Sequence, residues 1–260
     1  MIFYTGERPV TVPVSTSAAL AVSRIDDLTT NLHRTLIGCI GLVLPFILIG
    51  LAVWRDGFAR WKDLESISAY YYSGAAAAFL GMLVSLALFL FAYRGYDNKN
   101  GKWDRRISNW AAIAALVVAF FPTRAPDGMP ELLWWTPFTG VLHHVAAIVL
   151  LSCFALFSLW LFRKKKNPTT PGTNEQPEES DSGKSTRNGI YVSCGVLIIV
   201  GMVWAGVNAI LGLQIFWPES LALAAFSVSW LVKGHAFELL HGVWRRGLAK
   251  LAGAVRSLVW

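Results

Sequence analysis

Charge is scarce in this chain, and what there is clusters. Only 15% of the residues are Asp, Glu, Lys or Arg, against 55% hydrophobic. Soluble domains carry about 25% charge, so the composition excludes an ordinary globular protein. A mean hydropathy of +0.48 points the same way. Cysteine is nearly absent. Cys39, Cys153 and Cys194 all lie in apolar runs, without metal-ligand spacing, and read as small packing residues. No G-x-S-x-G, H-E-x-x-H or C-x-x-C pattern occurs, so the sequence carries no common hydrolase, metalloprotease or dithiol signature. No run alternates as a barrel strand does. No internal repeat is evident, which disfavours a transporter of symmetric halves. Residues 1–33 lack the basic start and apolar core of a cleavable signal peptide.

What is present is long apolar runs. A helix needs about 20 apolar residues to cross a bilayer core. Six runs come near that length: Thr35–Trp54, Ser73–Tyr93, Ile107–Thr123, Thr139–Phe162, Gly189–Ile210 and Trp217–Val232. Helices satisfy their backbone without water, so the expected fold is all-α, a polytopic membrane bundle of about six transmembrane helices. The expected organisation is a polar cytoplasmic tail over 1–33, with room for a short helix after Ser17, helices one to four over 34–162, and a disordered linker over 163–188. Helices five and six follow over 189–234. The linker reading rests on "NPTTPGTNEQPEESDSG", which cannot bury a core.

Cations fix the orientation. With six spans, 19 of the 23 Lys and Arg fall on one side and 4 on the other. Both termini are therefore expected in the cytoplasm, with the protein in the cell's inner membrane. The net charge of +7 reflects this asymmetry and not a nucleic-acid surface. In residues 235–260, Phe237, Leu240, Trp244, Leu248, Leu251 and Val255 recur at three- and four-residue steps. Arg245, Arg246, Lys250 and Arg256 take the opposite face. That pattern predicts a basic amphipathic helix lying on the anionic inner leaflet.

The same topology collects polar residues at the outer interface. Loop one brings Ser66, Ser68 and Tyr72, and the turn "FPTRAPDG" brings Arg124 and Asp127. The fourth helix opens with His143 and His144, and the sixth with Glu219. Ordinary duties compete for each: Glu219 after Pro218 fits a helix start, Asp127 a turn, Tyr72 an aromatic belt, and the serines a cap. Ionisable groups inside a span usually face the bundle interior. His144 shares its face with Gly140, Ala147 and Ala155, small residues that suit helix contacts. His143 aligns with Leu150, Phe154 and Phe157. His144 is therefore the expected inward histidine.

"ESIS" before helix two, "FPT" and an acidic turn after helix three, and a His opening helix four resemble the bacterial six-helix membrane family catalogued as domain of unknown function 998. The resemblance spans roughly residues 35–235. Here Arg124 stands where that family's "FPTDP" carries its acid, which moves to Asp127. The family is distantly similar to eukaryotic membrane proteins of lipid-anchor remodelling, which implies lipids as ligands.

Three functional classes follow. The first is a lipid-binding or lipid-sensing protein, with Arg124, His143, His144 and Tyr72 on a headgroup; Arg suits phosphate by its planar fork. The second is a membrane-embedded lipid hydrolase. There His144 with Asp127 or Glu219 acts as base or holds zinc, and Ser66 or Ser68 polarises a carbonyl. The third is a structural or signalling protein, working through its basic C-terminal helix with a second copy or another membrane protein.

Overall fold

The computed structural model describes residues 16–93, 101–164 and 181–236. Among them every regular element is helical. The order is α1 (Thr16–Asp56), the single turn α2 (Phe58–Trp61), a 3-10 turn (Ser68–Tyr72), α3 (Ala76–Ala92), α4 (Gly101–Phe120), α5 (Pro137–Leu156) continued by a π-helical turn (Phe157–Leu161), α6 (Asp181–Leu211) and α7 (Phe216–Lys233).

Each of the six expected runs falls on one long helix, but α1, α4 and α6 begin earlier than hydropathy predicts. α1 starts at Thr16 and runs unbroken through the polar turn at 31–35. That turn stays helical because the bundle satisfies it. His33 Nε2 donates to the Phe89 carbonyl at 2.5 Å, Thr35 Oγ donates to Asn31 O at 2.9 Å, and the buried Arg34 guanidinium lies 5.6 Å from the Tyr93 ring. α6 starts at Asp181, inside the stretch read as linker. The amphipathic helix expected at the C-terminus, with Arg245, Arg246, Lys250 and Arg256, lies outside the described residues.

The helices close into a ring. Each packs on the next in the chain from α3 to α7, and α1 packs on both α3 and α7. Glycine allows a close approach of α1 to α7: a Cβ at Gly38 would lie 2.8 Å from Leu231 Cγ, and one at Gly41 2.5 Å from Ser227 Oγ. The middle of the ring is wide enough for large side chains. Phe154 stacks on Phe226 at 3.5 Å between centroids. Trp230 is fully buried among Tyr93, Phe157 and Phe162, each 5.1 Å away.

The outside of the ring is apolar. On α6, Val196, Leu197, Val200, Val203, Val207 and Ile210 are all exposed. In water such a face would drive association; against hydrocarbon it costs nothing. Among the described residues, three helices are long and apolar enough to cross a membrane by length and composition: Leu28–Asp56, Pro137–Leu161 and Lys184–Leu211. The chain thus has the apolar helices of a membrane protein.

Candidate functional site

Three connections meet at one end of the ring: 57–75 between α1 and α3, 121–136 between α4 and α5, and 212–215 between α6 and α7. Each carries a glycine in the left-handed region: Gly57 at φ 87°, Gly128 at φ 76° and Gly212 at φ 66°. α5 starts cleanly because Thr136 and Thr139 form a reciprocal capping box, with Pro137 in the first turn.

The first connection is clamped onto the start of α7. The Glu65 carbonyl accepts from the amides of Ile215 and Phe216, both at 2.8 Å. In return Glu219 Oε2 accepts from the Ile67 amide at 2.7 Å. Glu219 therefore does more than face the helix dipole: it holds the loop that carries Ser66 and Ser68. Ser66 Oγ accepts from Ala69 N at 2.9 Å within the loop; neither serine caps α3, whose N-cap residue is Ala75.

Ser68 is used differently. Its Oγ lies 2.8 Å from Nε2 of His143, and both side chains are buried. His143 Nδ1 lies 2.6 Å from the Phe121 carbonyl oxygen. A carbonyl only accepts, so Nδ1 carries the ring proton. In the neutral ring Nε2 is then an acceptor, and Ser68 Oγ–H donates to it. One imidazole thereby joins loop one, the end of α4 and the start of α5.

The inward histidine is thus His143, at 1% exposure, and not His144, which is exposed. The small-residue argument fails for a physical reason. Small residues favour close contact between two helices, whereas the centre of a six-helix ring is filled by bulk. The His143 face, with Leu150, Phe154 and Phe157, supplies that bulk. His144 donates from Nδ1 to Gly140 O at 2.6 Å and sits on the rim, its ring 5.7 Å from that of His143.

A cavity of about 330 Å³ opens here. Ser68 and His143 line it, as do Ser66, Glu219, Arg124, Asp127 and His144. Ala147, Ala209 and Leu213 form an apolar part of its wall. So seven of the residues singled out in the sequence share one cavity. Tyr72 does not join them. Its hydroxyl donates to Thr123 O at 2.6 Å and braces the turn after α4. Burial, helped by the Glu131 carboxylate, pushes that phenol up to about 12.

Glu131 is the residue that sequence reading passed over. It accepts from Ala125 N at 3.1 Å and lies 3.8 Å from Arg124 Nε. It thereby sets the shape of the turn that carries Arg124 and Asp127. Its place after Pro130, at the close of a turn, is the only signal the sequence gives. For zinc the donor set does not fit. Both ring nitrogens of His143 are engaged, and the described residues bring together no group of three His, Cys, Asp or Glu side chains able to hold a metal ion.

A family model described as "Protein of unknown function (DUF998)" matches residues 39–232. The chain belongs to this family. The match runs from α1 to the last turn of α7, and so takes in the whole cavity. No curated protein and no solved structure matches the chain.

Proposed function

We propose that this DUF998 protein is a six-span, multi-pass protein of a bacterial inner membrane, with both termini cytoplasmic. Its cavity, at the outer interface, binds the headgroup of a membrane phospholipid. Three helices meet the span criterion unaided. α3, α4 and α7 fall short of it, but the bundle absorbs their polar groups. Ser108 Oγ donates to Leu90 O, Ser227 to Leu223 O, and Ser229 to Phe226 O. Groups satisfied in this way are compatible with a hydrocarbon surround. The cation asymmetry supports the orientation.

The observation that carries the binding reading is the mixed lining of one cavity. Arg124 offers donors for a phosphate at the rim, while Asp127 and His144, whose Nδ1 proton is taken by Gly140 O, offer acceptors for an ammonium or hydroxyl. Beside them Ala147, Ala209 and Leu213 offer an apolar surface to the adjoining chain. A ligand that matches both halves is amphiphilic.

Native mass spectrometry from nanodiscs of phosphatidylethanolamine and phosphatidylglycerol tests this. The wild type should retain one lipid per chain through detergent transfer, and Arg124→Ala together with Ala147→Trp should lose it. An unchanged lipid profile in that variant contradicts the reading.

A further inference from the structure

We propose that Ser68 is a nucleophile and His143 its general base, acting on an acyl ester of the amphiphile in the cavity. The substrate class rests on the binding reading above; the nucleophile itself does not. Three observations carry it.

The first is geometry. The Oγ–Nε2 separation of 2.8 Å lies in the range for a nucleophile and its base. The base is oriented by a third group, the Phe121 carbonyl at 2.6 Å, which fixes the tautomer that leaves Nε2 free to accept a proton.

The second is contrast with the other buried hydroxyls. Ser108, Ser227 and Ser229 each donate to a backbone carbonyl, and Ser158 lies within reach of Ser229 Oγ at 2.9 Å and Phe154 O at 3.2 Å. That is how a hydroxyl is made harmless in a helical bundle. Ser68 is directed instead at an imidazole. Ser66, two residues earlier, accepts from Ala69 N and has no histidine partner among the described residues.

The third is access. Ser68 and His143 both line the 330 Å³ cavity, whose wall includes Ala147 and Leu213.

The reaction balances with water as the only co-reactant. His143 Nε2 takes the Ser68 proton as Oγ forms a bond to the ester carbonyl carbon. The tetrahedral intermediate collapses, the ester C–O bond breaks, and the leaving alcohol oxygen takes the proton from Nε2. Water then gives a proton to Nε2 and adds its oxygen to the acyl carbon. The bond between the acyl carbon and Ser68 Oγ breaks, and Oγ recovers the proton from Nε2. The products are one alcohol and one carboxylic acid, and nothing is oxidised or reduced.

The test uses the full-length protein in nanodiscs and a fluorophosphonate carrying a long alkyl tail. Such a probe phosphonylates an activated serine and releases fluoride. Peptide mapping should place one adduct on Ser68, absent in Ser68→Ala. The labelling rate should drop about a hundredfold or more in His143→Gln, the scale of a lost general base. Melting curves confirm that both variants remain folded. No adduct on Ser68 in wild-type protein that still retains its lipid overturns the proposal. Labelling of Ser68 at the full rate in folded His143→Gln overturns it too. An adduct on Ser68 in protein that retains no lipid supports the nucleophile and removes the binding reading alone.

Discussion

Ser68 and His143 stand 75 positions apart in sequence, yet their side chains form one buried 2.8 Å hydrogen bond. The bond ties the loop before α3 to the first turns of α5. Its removal should loosen that end of the ring more than any change at the neighbouring His144. His143→Ala leaves the Phe121 carbonyl and the Ser68 hydroxyl buried without a partner, at about 1–3 kcal/mol for such a group. His144→Ala touches an exposed side chain, where changes stay within about 0.5 kcal/mol. Thermal unfolding in one detergent should rank wild type and His144→Ala together, well above His143→Ala. Equal losses in the two variants would contradict the burial assignment.

This pair also marks where the sequence stops being informative. The six helices could be read from apolar run length, because lipid solvation depends on composition over some twenty residues. The convergence of Ser68, Arg124, Asp127, His143, His144 and Glu219 could be read as well, since topology alone sets depth. Which histidine turns inward could not. That depends on the ring having a wide centre, a property of six helices packed together and not of any one of them. The partners that are backbone atoms, the Phe121 and Glu65 carbonyls and the Ile67 amide, leave no trace in residue type. The early starts of α1 and α6 were hidden for a related reason. Polar residues such as His33 and Arg34 look like tail until the helix that satisfies them is in view.

Glu219 offers a sharper test of the clamp. Its carboxylate accepts from the Ile67 amide, and a glutamine can keep an acceptor there while an alanine cannot. Hydrogen exchange over residues 64–70 should accelerate about tenfold or more in Glu219→Ala, since one lost hydrogen bond of about 1.5 kcal/mol opens the amide to that extent. Glu219→Gln should stay close to wild type. Equal acceleration in both would mean that charge, and not the acceptor, holds the loop.

The α1–α7 seam should tolerate no side chain at Gly38. A Cβ there meets Leu231 at 2.8 Å, while nothing lies within 4 Å of one at Gly206. Gly38→Val should cost about 1–3 kcal/mol through overpacking. Gly206→Ala should be neutral or stabilising, because alanine is the better helix former by about 1 kcal/mol. Melting temperatures of the two variants check the ranking directly.

Alkali should attack the loop end of the ring. Burial raises both Tyr70 and Tyr72 from 10.0 to about 12. The unfolded chain therefore loses these protons first as pH rises. The stability they contribute is complete below pH 10 and is lost progressively toward pH 12. Melting followed from pH 9 to 12, with tyrosinate absorbance in parallel, should show the two falling together. Tyr72→Phe should flatten part of that slope.

The proposed binding mode puts a phospholipid headgroup among Arg124, Asp127 and His144. Photocrosslinking reads this most directly, using a phospholipid with a diazirine close to its headgroup and the wild-type protein in nanodiscs. Adducts should concentrate on residues 123–127, 143–147 and 209–215, and excess unlabelled phospholipid should suppress them. Adducts spread only along the outer face of α6, at 196–210, with none on the first two segments, would contradict the account.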